Sequence, residues 1–138
     1  MAKYTQQQIM DMAELRNLVD SYAIESDKGN QDYYRNIFAE NLNLRLFSGG
    51  NMTEIKGVEE MIKIYKAFGA AKISFHQTGQ QAIDFQDADH ATGVVYLTAL
   101  LVNEKATKIY IRYEDKYARI NGRWQITDRD QYMLYTEN

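Results

Sequence analysis

The chain contains no cysteine and no proline, and it has two histidines, His76 and His90. Without cysteine there is no disulfide, no thiol nucleophile and no thiolate-bound zinc or iron–sulfur centre. Two histidines are too few for a multi-histidine metal site, so neither metal nor cofactor is expected. Long hydrophobic runs are missing too, and nothing approaches the roughly 18 apolar residues that a spanning helix needs. The segment Met1 to Gln8 is polar and lacks a basic-then-apolar leader, so a cytoplasmic protein is expected, with no membrane partner. Basic charge is scarce: 16 Lys and Arg stand against 19 Asp and Glu, a net charge of −3. A nucleic-acid footprint needs a basic face, so nucleic acid is not an expected partner either.

What the chain has in surplus is tyrosine: 11 Tyr against 5 Phe and 1 Trp. A core needs aromatic bulk but not so many hydroxyls, because each buried phenol wants a hydrogen-bond partner. Two readings follow, an amphipathic strand surface or a polar-lined cavity for a small molecule. The remaining composition, 45% hydrophobic and 25% charged over 138 residues, is that of one globular domain spanning residues 1–138.

The first half reads as helical and the second as strands. Thr5 and Gln8 form a capping box ahead of a stripe of Met12, Leu15, Val19 and Tyr22, with Ile9 and Leu18 close to it. Gly29, after Asp27 and Lys28, is a natural C-terminal cap. A shorter helix is expected over Gln31–Phe38. A half-buried strand follows over Asn41–Phe47, then a turn at Ser48–Asn51. A third helix is expected over Gly57–Phe68, presenting Met61, Tyr65 and Phe68. Four β-runs end the chain: Lys72–Phe85, Ala91–Asn103, Lys108–Ile120 and Arg123–Tyr135. Asn121-Gly122 between the last two is a strong hairpin signal. The order α-α-β-β-α-β-β-β-β, with hairpin-length breaks, predicts an α+β fold: a curled antiparallel sheet with three helices on one side and a cleft between.

Several residues in this pattern carry possible chemistry. Asp27 falls in the last helical turn, where the macrodipole disfavours a carboxylate by roughly 0.3–1 kcal/mol. It is either a solvated residue beside the cap, offset by Lys28, or a group with a partner. His76 is either a surface or core histidine or a general acid/base oriented by Asp27. In simple alternation it shares a face with Thr78 and Gln80, opposite Phe75 and Ile83. Arg129 cannot share a face with both Trp124 and Ile126 unless a bulge near Thr127-Asp128 turns it inward. It is either an exposed partner of Asp128 or Asp130, or a stabiliser of an oxyanion or leaving hydroxyl. Asp115 lies between Tyr113 and Tyr117 on a core-facing stripe, as a structural ion or a second acid/base. Tyr96 and Thr98, on an otherwise apolar strand, are expected to line the same cavity. Asp84, Asp87 and Asp89 lack the spacing of a calcium loop and read as an acidic turn.

Taken in order, these motifs resemble the SnoaL-like and scytalone-dehydratase-like branch of the nuclear transport factor 2-like superfamily. The resemblance rests on Leu15–Ala23 leading to Asp27 and Gly29, on Gly57–Ile62, on His76, and on Tyr113–Ile126 followed by Arg129. It covers nearly the whole chain and implies a cone-shaped α+β fold. It further implies an Asp–His pair of Asp27 and His76, accompanied by Arg129. Tyr22, five residues before the Asp, matches dehydratase members, whereas dehydrochlorinase members carry Lys there. No counterpart exists for the second pocket histidine of scytalone dehydratase, because His90 falls in a turn. The implied activity is a cofactor-independent lyase of dehydratase type. Its catalytic group would be Asp27, His76, Arg129 and Tyr22, and its pocket Tyr65, Tyr96, Thr98, Tyr113, Asp115, Tyr117 and Trp124. The implied ligand is a small, hydrophobic cyclic molecule, and the implied assembly a homodimer or homotrimer. Two rival readings are an isomerase or cyclase using Asp115 as base, and a non-catalytic binding module in which Asp27 and His76 stay apart.

Overall fold

The Thr5 hydroxyl accepts the Gln8 amide at 3.0 Å and the Gln8 side chain accepts the Thr5 amide at 2.9 Å. This box opens α1 (Gln6–Asp27), the first element of a computed structural model that describes residues 3–138. A short 3-10 helix follows (Gln31–Asn36), then β1 (Phe38–Ser48), β2 (Asn51–Lys56), α2 (Val58–Ala67), β3 (Ile73–Phe85), β4 (His90–Val102), β5 (Ala106–Ile120) and β6 (Arg123–Glu137). The expected second helix ends two residues early. Phe38 opens β1, because the Ile126 amide donates to Ile37 O and draws the chain into the sheet beside β6.

The six strands form one sheet in the order β2-β1-β6-β5-β4-β3. Every pairing is antiparallel except β1 with β6, which is parallel. Hairpin-length breaks dictate the antiparallel neighbours. The β1–β6 contact joins strands separated by α2 and four other strands, so no local turn governs its direction. Asn121 and Gly122 both adopt positive φ, 53° and 77°, the twist that a two-residue hairpin needs.

The core lies between α1, the 3-10 helix, α2 and the inner sheet face. Leu15, Val19, Leu44, Met61, Trp124 and Ile126 are fully enclosed there. Ile9 is exposed instead, since it stands roughly two and a half turns from Leu18, on the opposite side of the helix. Glu14 accepts the Trp124 amide at 2.8 Å, and Arg119 donates to Asp11 at 3.0 Å, fixing α1 to the β5–β6 hairpin. Among the described residues no helix is long and apolar enough to cross a membrane.

At Gly93 the missing side chain makes room for the Tyr117 ring: a Cβ there would stand 2.6 Å from the Tyr117 hydroxyl oxygen. Tyr117 is enclosed and has nowhere to swing. Gly93→Ala is therefore expected to cost about 1–3 kcal/mol, the range for overpacking. The check is a urea titration, with a lower midpoint at unchanged slope; an unchanged midpoint would contradict this packing.

Candidate active site

Helix α1 ends where Gly29, at φ +72°, reverses the chain. The Asn30 amide closes the cap on Glu25 O at 2.9 Å. Asp27 sits in this last turn, and three donors offset the unfavourable dipole. Ser74 Oγ donates to its Oδ1 at 2.8 Å, and the His76 amide donates to its Oδ2 at 2.8 Å. The third partner is the His76 ring, whose Nδ1 lies 2.6 Å from Oδ1. A carboxylate only accepts, so Nδ1 carries the hydrogen, and in the neutral imidazole Nε2 keeps its lone pair. Lys28 pairs with Glu25 rather than with Asp27.

His76 reaches Asp27 because β3 is bulged. Gly79 and Gln80 together oppose Tyr96 of β4, with Thr78 facing Leu97 and Gln81 facing Val95. Before the bulge the even-numbered residues Ser74, His76 and Thr78 pair with inward residues of β4. After it the odd-numbered Gln81, Ile83 and Phe85 do so. This overturns the simple alternation: His76 and Ile83 share the inner face, and Phe75 is exposed.

A second bulge serves Arg129. Lys116 faces Asp128 and Tyr117 faces Ile126, so Thr127 is the extra residue. Trp124, Ile126 and Arg129 consequently all point inward and are fully buried. Arg129 Nε and Nη2 donate to the two oxygens of Asp115 at 2.8 and 3.0 Å, an ion pair with no exposed side-chain surface. Its guanidinium lies 3.6 Å from the Tyr113 ring centroid, 5.0 Å from Tyr22 and 5.2 Å from Phe38. Burial works against this charge, but the Asp115 carboxylate beside it raises the pKa above the ordinary arginine value. Nη1 is buried without a partner.

A pocket of about 440 Å³ opens at the C-terminal end of α1. Its walls include Tyr22, Ser26, Asp27, Tyr34, Tyr65, Phe68, Ser74, His76 and Leu101. Asp27, His76, Tyr22 and Tyr65 thus meet at one cavity. Ser26 and Tyr34 share a hydrogen bond at 2.7 Å on the same wall. Burial raises the pKa of Tyr22, with the Arg129 charge acting the other way, and burial also raises those of Tyr34 and Tyr65.

Arg129, Tyr113, Asp115, Tyr117 and Trp124 do not line this pocket. The first three stand behind Tyr22. The Tyr117 hydroxyl donates to Asp115 at 3.3 Å. Trp124 packs on Phe85 and under Arg119, towards the start of α1. Tyr96 and Thr98 are misplaced by the sequence reading. The inward residues of β4 are odd-numbered, so both lie on the outer face, and Tyr96 is 43% exposed. The sequence reading left Ser26, Tyr34, Ser74 and Leu101 out of the pocket wall. Ser74 carried a signal, being two residues before His76 on the same strand face. Ser26 and Tyr34 carried none, because the turn at Gly29 brings them together. Asp87 and Asp89 form an acidic turn, with Asp89 paired to Arg119.

A family model described as a SnoaL-like domain matches residues 7–130. The chain belongs to the SnoaL-like family. Solved structures of similar shape include a scytalone dehydratase candidate from Novosphingobium aromaticivorans, at TM-score 0.87 and 16% identity, covering 97% of this chain and 91% of that one. A hexachlorocyclohexane dehydrochlorinase, LinA-type3 from Novosphingobium barchaimii, aligns at TM-score 0.82 and 18% identity, over 95% of this chain and 91% of that one. The Kfla4162 protein from Kribbella flavida aligns at TM-score 0.85 and 20% identity, covering 95% of both chains. At these identities the likeness shows a shared fold. None of the curated protein sequences matches this one.

Two predictions follow from this SnoaL-like interior. Arg129→Met leaves the Asp115 charge buried and unpaired, and is expected to cost about 3–5 kcal/mol by chemical denaturation. Adding Asp115→Leu should recover most of that loss, and a double variant no better than the single would contradict the pairing. The second concerns alkali. Burial raises the pKa of Tyr22, Tyr65 and Tyr113 above the ordinary value of 10.0. Above pH 10 the unfolded chain therefore holds fewer protons than the native one, and stability falls as pH rises. The tyrosinate absorbance should grow in two steps, the second coinciding with loss of far-ultraviolet circular dichroism. One smooth step with the fold intact would contradict it.

Proposed function

We propose that this SnoaL-like protein is a dehydratase, removing water from a small cyclic, largely apolar substrate that bears a carbonyl. The observation that carries the reading is the 2.6 Å Asp27–His76 contact on the wall of a 440 Å³ pocket, a volume suited to one small molecule. Asp27 holds the imidazole so that Nε2 is the free base, and the same carboxylate stabilises the imidazolium that forms.

Nε2 takes a proton from the carbon next to the carbonyl. The electron pair moves into an enolate, then into the new carbon–carbon double bond as the hydroxyl on the next carbon leaves. The proton held on Nε2 returns to that hydroxyl, which departs as water, so no other reactant is consumed. Tyr22, kept neutral by burial, donates to the carbonyl oxygen as negative charge develops. Arg129 acts from behind, through the Tyr22 and Tyr113 rings, and is a positioning residue. Asp115 is committed to Arg129 and stands outside the pocket, which weighs against an isomerase or cyclase that uses it as base. A purely binding module is disfavoured because Asp27 and His76 touch on the pocket wall. The exposed Val94, Tyr96 and Leu134 on the outer sheet face support a homodimer or homotrimer as the assembly.

The test is turnover on a panel of cyclic β-hydroxy ketones, followed by the absorbance of the conjugated enone. His76→Ala should lower turnover by about 10²–10⁴-fold, the usual worth of a general base. Asp27→Asn should fall with it, while the circular dichroism of both variants stays native. Undiminished turnover in His76→Ala would refute the assignment.

A further inference from the structure

Arg16 lies on α1, outside the pocket, and bonds to the strand that carries His76. Arg16 makes an i,i+4 ion pair with Asp20 through Nε, at 3.1 Å to each carboxylate oxygen. The pair leaves both terminal nitrogens free to reach across to β3. Nη1 donates to Gly79 O at 2.8 Å and Nη2 donates to Thr78 O at 3.3 Å. These two carbonyls lie at the Gly79–Gln80 bulge that switches β3 from even-inward to odd-inward.

A bulge leaves backbone groups outside the ladder, and they need other partners. Here a planar guanidinium, fixed at its third nitrogen by Asp20, supplies two donors to consecutive carbonyls. Gly79 also sits close to the neighbouring strand: a Cβ there would lie 3.1 Å from Tyr96 O. The bulge is therefore pressed between Tyr96 on one side and Arg16 on the other. Slipping β3 back into unbroken alternation would carry Ser74 and His76 to the outer face, away from Asp27.

We infer that Arg16, braced by Asp20, is a positioning residue for the acid/base pair: through the Thr78 and Gly79 carbonyls it pins the Gly79–Gln80 bulge and so aims His76 at Asp27. The inference rests on the acid/base reading of His76 for its functional meaning, but its measurement does not use turnover. The same helix thus contributes both the carboxylate that orients the imidazole and, eleven residues earlier, the arginine that presents the imidazole to it.

The test is amide hydrogen exchange and nitrogen NMR of the His76 ring in the whole chain, with Arg16→Met and Arg16→Lys. In Arg16→Met the His76 amide, bonded to Asp27 in the native protein, should exchange about tenfold faster or more. The ring should lose its single Nδ1–H tautomer. The Ile126 amide, which bonds Ile37 O on the far side of the sheet, should keep its rate. Arg16→Lys, whose ammonium can donate to either carbonyl, should recover part of the protection. Native His76 exchange and tautomer in a folded Arg16→Met protein would overturn the inference. So would loss of the whole fold in that variant, because the effect claimed is local to β3, and so would an Arg16→Lys protein no better than Arg16→Met. Failure of the dehydratase reading would appear in turnover alone and leave these exchange rates as expected.

Discussion

A β-strand sends alternate side chains to opposite faces, so a single extra residue reverses which of them point inward. Two such reversals build this site. On β3 the bulge at Gly79–Gln80 brings Ser74 and His76 to the inner face while leaving Ile83 there. On β6 the extra Thr127 does the same for Arg129 without turning Trp124 or Ile126 outward. Each bulge lets one strand serve the apolar core over part of its length and the polar site over the rest. Regular alternation would force a choice between them.

The interior these strands enclose is unusual in its balance of ring and charge. Tyr22 stands at its centre, within 6.4 Å of Tyr34, Phe38, Tyr113 and His76 by ring centroids. Arg129 is packed among three of those aromatic rings and neutralised by Asp115. A buried ion pair gives little net stability, because desolvation opposes the Coulomb gain. Its effect here is directional: a fixed cation sits behind the hydroxyl-bearing wall of the pocket, and its matching anion is kept out of the cavity. The tyrosine surplus has the same logic, since phenols give apolar bulk to the core and hydroxyls to the pocket.

Much of this was legible in the sequence wherever the signal was local. The Thr5–Gln8 box, the Gly29 cap and the Asn121-Gly122 hairpin each reflect a backbone requirement met within a few residues. The β6 bulge was legible because Trp124, Ile126 and Arg129 could not all face inward without it. The β3 bulge left a weaker trace, a lone glycine amid polar residues, and alternation read straight through it put His76 opposite Ile83. The same habit assigned Tyr96 and Thr98 to the cavity from the polarity of their side chains. Parity along β4, set by Ala91, Val95, Leu97 and Ala99, puts them outside. The parallel β1–β6 pairing and the meeting of Ser26 with Tyr34 depend on chain reversals that no short segment encodes.

The relation between the imidazole and a carbonyl-bearing ring is the centre of this account, and a crystal structure with a saturated cyclic ketone soaked into the pocket measures it directly. Such a ligand can be bound but has no hydroxyl to lose. The expected result places its carbon next to the carbonyl about 3–3.5 Å from His76 Nε2, the reach of a reacting pair. The carbonyl oxygen should lie within hydrogen-bond distance of Tyr22, and Asp27 should still be bonded to Nδ1. A ketone held in the pocket with its carbonyl facing away from Tyr22, or with Nε2 turned from the ring, would contradict it.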